Sequence, residues 1–213
     1  MKRITLFAGH YGSGKTSIAV SYAKYLKSKG LNVKIIDLDI VNPYFRTKDS
    51  EADLKEWGIE VISSAYANTN LDAPALPKEI SAAICEKDTY LVIDVGGDDR
   101  GAVALGRYAP DIKEDDYEML FVANCYRPLT RTPKDALEVM GEIEVASKLI
   151  FTAIVNNSNI GDETTEEDIL KSVDYINELS TLSNLPVKMT TSVIDTKQIE
   201  SFKIELQSKY YAV

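Results

Sequence analysis

Eight residues near the N-terminus, Gly9-His10-Tyr11-Gly12-Ser13-Gly14-Lys15-Thr16, constrain this chain more than any other segment. They match the pattern G-x-x-x-x-G-K-[ST], which works only where a strand gives way to a helix. The glycines let backbone N–H groups wrap the α- and β-phosphates of a nucleotide, and the helix N-terminus adds its dipole. Lys15 then reaches the β- and γ-phosphates, and the Thr16 hydroxyl becomes a ligand for Mg²⁺. The whole run from Gly9 through Ser17, including His10, Tyr11, Gly12, Ser13 and Gly14, is expected to line the phosphates. Its flanks agree, with the apolar run Ile4–Ala8 before it and a helical pattern over Thr16–Ser28 after it.

Short β-rich runs and longer helix-like stretches continue to alternate. The expected strands are Ile4–Ala8, Val33–Asp37, Glu60–Ser63, Tyr90–Asp94, Met119–Ala123, Leu149–Val155 and Val187–Thr190. Several lack period-two alternation, as strands do when both faces of a parallel sheet are covered. Helices are expected over Thr16–Ser28, Ser50–Trp57, Pro77–Glu86, Thr132–Val145, Thr165–Ser180 and Lys197–Lys209. Gly30 and Gly58 read as C-terminal stops, and Pro133 suits the first helical position. The pattern predicts an α/β, three-layer P-loop NTPase fold, with a mainly parallel, doubly wound sheet of about seven strands. No repeat or Pro/Gly-rich linker divides residues 1–213, so one nucleotide-binding domain is expected.

Composition narrows the function. The net charge of −9 disfavours sequence-independent nucleic-acid binding, which rests on Lys and Arg neutralising phosphates. Cys85 and Cys125 match no metal-ligand or redox spacing, which fits a reducing compartment. The N-terminal apolar run is too short for a signal peptide, and no later run reaches the ~18 apolar residues of a membrane span. A cytoplasmic protein binding neither nucleic acid nor membrane is expected.

Tyr90-Leu91-Val92-Ile93-Asp94 reads as a strand ending in a carboxylate. In a P-loop fold it runs beside the first strand, placing Asp94 near the metal. Gly96 and Gly97 follow, where Gly97 could sense a γ-phosphate through its backbone N–H. Together these segments resemble the CobQ/CobB/MinD/ParA branch of P-loop proteins, from Arg3 to about Val193. In that branch the second strand ends in an acidic switch segment, matched here by Ile35-Ile36-Asp37-Leu38-Asp39-Ile40-Val41-Asn42-Pro43. The resemblance implies that Asp37 binds Mg²⁺ through water and that Asp39 orients or activates the attacking water; Lys15 is expected to serve catalysis by stabilising transition-state charge. The resemblance also implies a homodimer. The chain departs from the branch at His10, where MinD- and ParA-like loops carry a second lysine that reaches the partner's nucleotide. It departs again at Gly96-Gly97-Asp98-Asp99, where relatives have Pro or Ala before the glycine. His10 is then either a contact to phosphate or partner, or a structural residue.

GTP-binding relatives read guanine with N-K-x-D after the sixth strand. Here the segment is Val155-Asn156-Asn157-Ser158-Asn159, which lacks the carboxylate. An asparagine amide can both accept from adenine N6 and donate to N7, so ATP is expected, with Asn156 as the base reader. Arg127 and Arg131, in a loop after the fifth strand, could grip a phosphate or carboxylate, or simply be solvated. The helical spacing of Ile199, Phe202 and Leu206, interrupted by Glu200 and Glu205, suggests packing rather than membrane binding. Three functions follow: a slow Mg²⁺-dependent ATPase that switches a partner protein, an ATP-dependent ligase or kinase resembling dethiobiotin synthetase or CobB and acting on a small carboxylate, or a regulatory module that holds ATP without turnover.

Overall fold

The computed structural model describes residues 1–38, 50–63, 78–97 and 99–206. Its strands are β1 (Ile4–Ala8), β2 (Val33–Leu38), β3 (Glu60–Ser63), β4 (Tyr90–Val95), β5 (Tyr117–Ala123), β6 (Ala153–Asn156), β7 (Val187–Ser192) and β8 (Phe202–Lys203). The helices are α1 (Lys15–Ser28), α2 (Glu51–Glu56), α3 (Lys78–Cys85), α4 (Asp99–Leu105), α5 (Ala109–Lys113), α6 (Pro133–Ser147) and α7 (Glu166–Ser183). One sheet of eight strands runs in the order β3-β2-β4-β1-β5-β6-β7-β8, and every pairing is parallel.

Both faces of this sheet are covered, which explains the unbroken apolar runs. Phe7, Ile35, Val92, Leu120, Val122 and Val155 pack beneath α1, against Ile18, Ala19, Tyr22, Ala23 and Leu26. Their strand neighbours Leu6, Ile36, Ile93, Phe121 and Ile154 point the other way, against Ile80 of α3, Ile112 of α5, Met140 of α6 and Ile176 of α7. The three-layer α/β architecture predicted from the alternation is therefore present. Thr132 and Asp135 close a capping box on α6, and Pro133 opens that helix as predicted. Thr165 and Asp168 do the same for α7.

Among the described residues the sheet counts eight strands, in keeping with the expected seven or so, with the short β8 at its edge. Two expectations are corrected. Strand β6 begins at Ala153 rather than Leu149; the preceding Thr152 bonds its N–H to Met119 O at 2.8 Å. The helix expected over Lys197–Lys209 does not form in its described part. There Phe202 and Lys203 pair with Thr191 and Ser192 of β7. The Phe202 ring lies 6.2 Å from Tyr22 and 5.6 Å from Tyr25, and Ile204 is buried. Packing Phe202 and Ile204 against α1 outweighs a local helical spacing, since tertiary packing overrides propensity. Helices α4 and α5 went unpredicted: they are short, and Gly101, Gly106 and Pro110 weaken any helical pattern there.

At the N-terminal ends of the strands, Arg3 joins three segments. Its guanidinium donates to the carbonyls of Ile84, Glu86 and Thr89, and to the Asp115 carboxylate through Nε at 2.9 Å. It thereby satisfies carbonyls left open at the end of α3. The Asp115 carboxyl is held well below the usual carboxylate range, first by Arg3 and further by Lys87 at 2.6 Å. A depressed carboxyl stabilises the fold fully above the unfolded pKa of about 4 and loses that contribution as pH falls. Arg3→Met is expected to destabilise the protein by ~2–3 kcal/mol at pH 7. In urea unfolding, the gap to wild type should narrow as the pH is lowered below about 4. A gap independent of pH would refute the electrostatic origin of the effect.

Candidate functional site

Strand β1 sits between β4 and β5, so the loops at the C-terminal ends of all three converge. This is the position where open α/β sheets form their ligand crevice. The segment from Gly9 to Gly14 turns there from β1 into α1. Its backbone requires glycine: Gly14, the N-cap of α1, has φ +90°, a left-handed conformation unfavourable for side chains. A Cβ on Gly9 would stand 2.7 Å from Val122 O, so β5 passes too close for any other residue. The loop closes on itself through Ser13 N to His10 O, at 3.2 Å. Thr16 and Ser17 occupy the first turn of α1, partly exposed, where free N–H groups face the loop.

Lys15 is buried, at 6% exposure, and its Nζ donates to His10 O at 3.1 Å. The ammonium is thus held back over the loop rather than extended into solvent. The His10 carbonyl therefore holds the lysine, while its ring Nδ1 lies 3.0 Å from Tyr11 O. Tyr11 is exposed. The Ser13 hydroxyl is buried and has no hydrogen-bond partner among the described residues.

Strand register brings the two predicted carboxylates together. Asp37 of β2 and Asp94 of β4 are direct partners across the ladder, and Asp94 is also the partner of Phe7 in β1. Phe7, Ile35 and Val92 face α1, so strand alternation places Asp37 and Asp94 on that same face, at the end nearest Thr16. Both carboxylates are buried, at 4% and 0% exposure. Two buried carboxylates on adjacent strands repel each other, and cations such as Lys15 or a divalent metal relieve that repulsion. The donor set of a hydroxyl and two carboxylates suits hard, oxygen-seeking Mg²⁺. Asp39, two positions beyond Asp37, lies outside the described residues.

Gly97 is pressed against the loop. A Cβ there would stand 2.7 Å from Tyr11 N and 2.8 Å from Lys15 Nζ. Behind it, a Cβ on Gly101 would stand 2.6 Å from the Gly96 Cα, so α4 abuts the same turn.

Asn156, expected to read the base, is not brought to the loop. It is fully buried, its Nδ2 donating to Ser172 Oγ of α7 at 2.8 Å and its Oδ1 accepting from Ser158 N at 3.2 Å. The neighbouring Asn157 meets the Gly9–Gly14 loop instead. Its Nδ2 donates to Ser13 O at 2.6 Å, and its Oδ1 accepts from Thr191 Oγ1 and from Asn159 Nδ2 at 3.0 Å. Successive residues at a strand end point to opposite faces, so one step in sequence moves a side chain across the sheet. Val155, two positions before Asn157, packs under α1, whereas Ile154, two before Asn156, faces α7. That parity was the signal that assigns Asn157 to the loop, and it becomes visible only once the layers are known.

No protein-family model and no curated protein matches the chain. Solved structures do. The signal recognition particle receptor FtsY from Elizabethkingia anophelis, in complex with GDP, matches with a TM-score of 0.51 at 17% identity, over 90% of this chain and 57% of that one. The cell division protein FtsY from Thermotoga maritima matches with a TM-score of 0.56 at 16% identity, over 88% of this chain and 60% of that one. The 54 kDa signal recognition particle protein from Aeropyrum pernix, in complex with GDP, matches with a TM-score of 0.54 at 14% identity, over 88% of this chain and 40% of that one. The chain thus spans well under two thirds of the length of these proteins. At such identities the likeness is one of fold, and it does not single out the CobQ/CobB/MinD/ParA branch that the motifs resemble. The parallel sheet, its layers and the loop between β1 and α1 give this chain the three-layer α/β fold of P-loop NTPases.

Proposed function

We propose that the protein binds ATP with Mg²⁺ at the Gly9–Thr16 loop and hydrolyses it slowly, using the nucleotide state to switch a partner surface. The observation that carries this reading is the joining of that loop to the Asp37–Asp94 pair by strand register. Backbone N–H groups of Gly9–Ser17 would wrap the phosphates, and Lys15 would swing from His10 O to the β- and γ-phosphates. Thr16, Asp37 and Asp94 would hold Mg²⁺, which neutralises charge on the phosphate oxygens when bound. Asp39 would orient the attacking water, as the resemblance implies. Gly97, already against Lys15, would report the γ-phosphate, and its contact with α4 through Gly96 and Gly101 would carry that signal outward.

Adenine is favoured over guanine because the asparagines beside the loop present no carboxylate to the base. Asn159 Nδ2 is bound to Asn157 O at 2.9 Å, and its Oδ1 accepts from Gly161 N at 3.2 Å, so it does not supply that acceptor. A homodimer through the loop face is supported by Tyr11 and Leu129, both exposed at the C-terminal end of the sheet.

Calorimetric titration of ATP and GTP with Mg²⁺, followed by phosphate release on the same sample, tests this. ATP is expected to bind about tenfold or more tightly than GTP, reflecting one or two base hydrogen bonds. Release should stop when Mg²⁺ is chelated, and sedimentation should show a dimer with ATP. Weak binding of both nucleotides would overturn the reading. Tight binding without release would replace hydrolysis by transfer to an added carboxylate substrate, or by a holding role.

A further inference from the structure

The strand order gives the phosphate loop two different flanks. On one side, β4 brings Asp94 and Gly97 toward Thr16 and Lys15, which makes this the flank of the metal and the γ-phosphate. On the other side lies the loop after β5, which carries Arg127. The Arg127 Nε stands 3.7 Å, and its Cδ 3.9 Å, from the point where a Cβ on Gly12 would sit. That Nε is buried and has no hydrogen-bond partner among the described residues. A buried guanidinium N–H without an acceptor is costly, and a ligand oxygen seated beside Gly12 would relieve that cost.

The surrounding loop is tied down by hydrogen bonds. Arg127 N donates to Asn124 O at 3.1 Å, and Thr130 N donates to Arg127 O at 3.2 Å. Thr130 Oγ1 reaches Asn124 O at 2.8 Å, and Asn124 Nδ2 reaches Asn159 O at 3.1 Å. Two tyrosines staple the loop to α7, with Tyr126 OH donating to Asp168 O and Tyr175 OH to Thr130 O, each at 2.8 Å. Burial raises the Tyr175 phenol well above its usual range, so it stays a donor at any physiological pH.

We propose that Arg127 is a second cation of the phosphate site, pairing with α- and β-phosphate oxygens on the flank away from Lys15. This rests on the nucleotide reading above and adds a residue to it. The planar guanidinium fork presents Nε and a terminal nitrogen in parallel, which matches two phosphate oxygens. Because its flank is opposite that of the metal, Arg127 serves diphosphate and triphosphate alike, and serves them without Mg²⁺.

The test is calorimetric titration of ADP and ATP, with and without Mg²⁺, on wild type, Arg127→Ala, Arg127→Lys and the exposed control Arg107→Ala. Arg127→Ala is expected to weaken ADP and ATP by the same factor, about ten- to hundredfold, as for loss of a charge-assisted pair. Arg127→Lys should recover part of the loss, and Arg107→Ala should stay within about twofold of wild type, as for a surface residue remote from the site. If Arg127→Ala does not fold by urea unfolding, Arg127→Gln carries the same expectation. ADP affinity within about twofold of wild type in a folded variant overturns the proposal. So does a loss confined to ATP, which would move Arg127 to the γ-phosphate or to a second substrate. A wild-type protein that binds neither nucleotide refutes the reading of the site itself, independently of Arg127.

Discussion

Lys15→Ala is expected to lower phosphate release by about 10²–10³-fold, the usual loss when one preorganised charge donor is removed from a transition state. Lys15 is the only lysine or arginine in the segment Gly9–Ser17. ATP affinity should fall as well, by about tenfold, since the ammonium also binds the ground state. Loss of its hydrogen bond to His10 O costs the fold about 1 kcal/mol. Turnover within about twofold of wild type, measured in a variant whose urea midpoint is unchanged, would remove Lys15 from catalysis.

Gly14→Ala is the substitution expected to damage the fold of the site most. Its φ of +90° costs an L-residue on the order of 1–2 kcal/mol. The added Cβ would stand 2.2 Å from Asn157 Nδ2, far inside contact distance. Asn157 cannot turn away cheaply, because its amide is buried and tied to Ser13 O and Thr191. The two effects together predict a loss of roughly 3 kcal/mol, or about 6–12 °C in melting temperature for a domain of this size. Nucleotide binding should be lost with it. A double-mutant cycle separates the terms: in an Asn157→Ala background, Gly14→Ala should cost only the backbone part. An unchanged cost in that background would show that Asn157 does not hold the loop.

The agreement between sequence and structure was best where the chemistry is local. The bounds of β1 and β3 match the expected runs residue for residue, and α1 starts one residue earlier than expected, at Lys15. Caps and stops also came through: Gly30 and Gly58 have positive φ, and Pro133 opens α6 behind its Thr132 cap. Each of these depends on backbone conformations within a few residues, which the residue types themselves restrict. The adjacency of Asp94 to the first strand, expected once the phosphate motif suggested the fold, is present in the pairing of β4 with β1.

Long-range packing decided the rest. The C-terminal segment has a helical spacing, yet Phe202 is drawn to Tyr22 and Tyr25 and joins the sheet edge. Helix α4 is specified less by its own residues than by the close fit of Gly101 on Gly96. The exchange of Asn156 for Asn157 turns on which face of β6 looks toward α1, and both faces are apolar. Arg127 is one of two arginines in a loop whose sequence allows either an anion contact or plain solvation; its approach to Gly12 arises because β5 is the neighbour of β1. The sequence by itself determined the glycine-rich turn from β1 into α1 and the strand–helix alternation, because each rests on local backbone geometry. Only the tertiary structure decided which asparagine and which arginine stand beside that loop, because strand parity and strand order are properties of the assembled sheet.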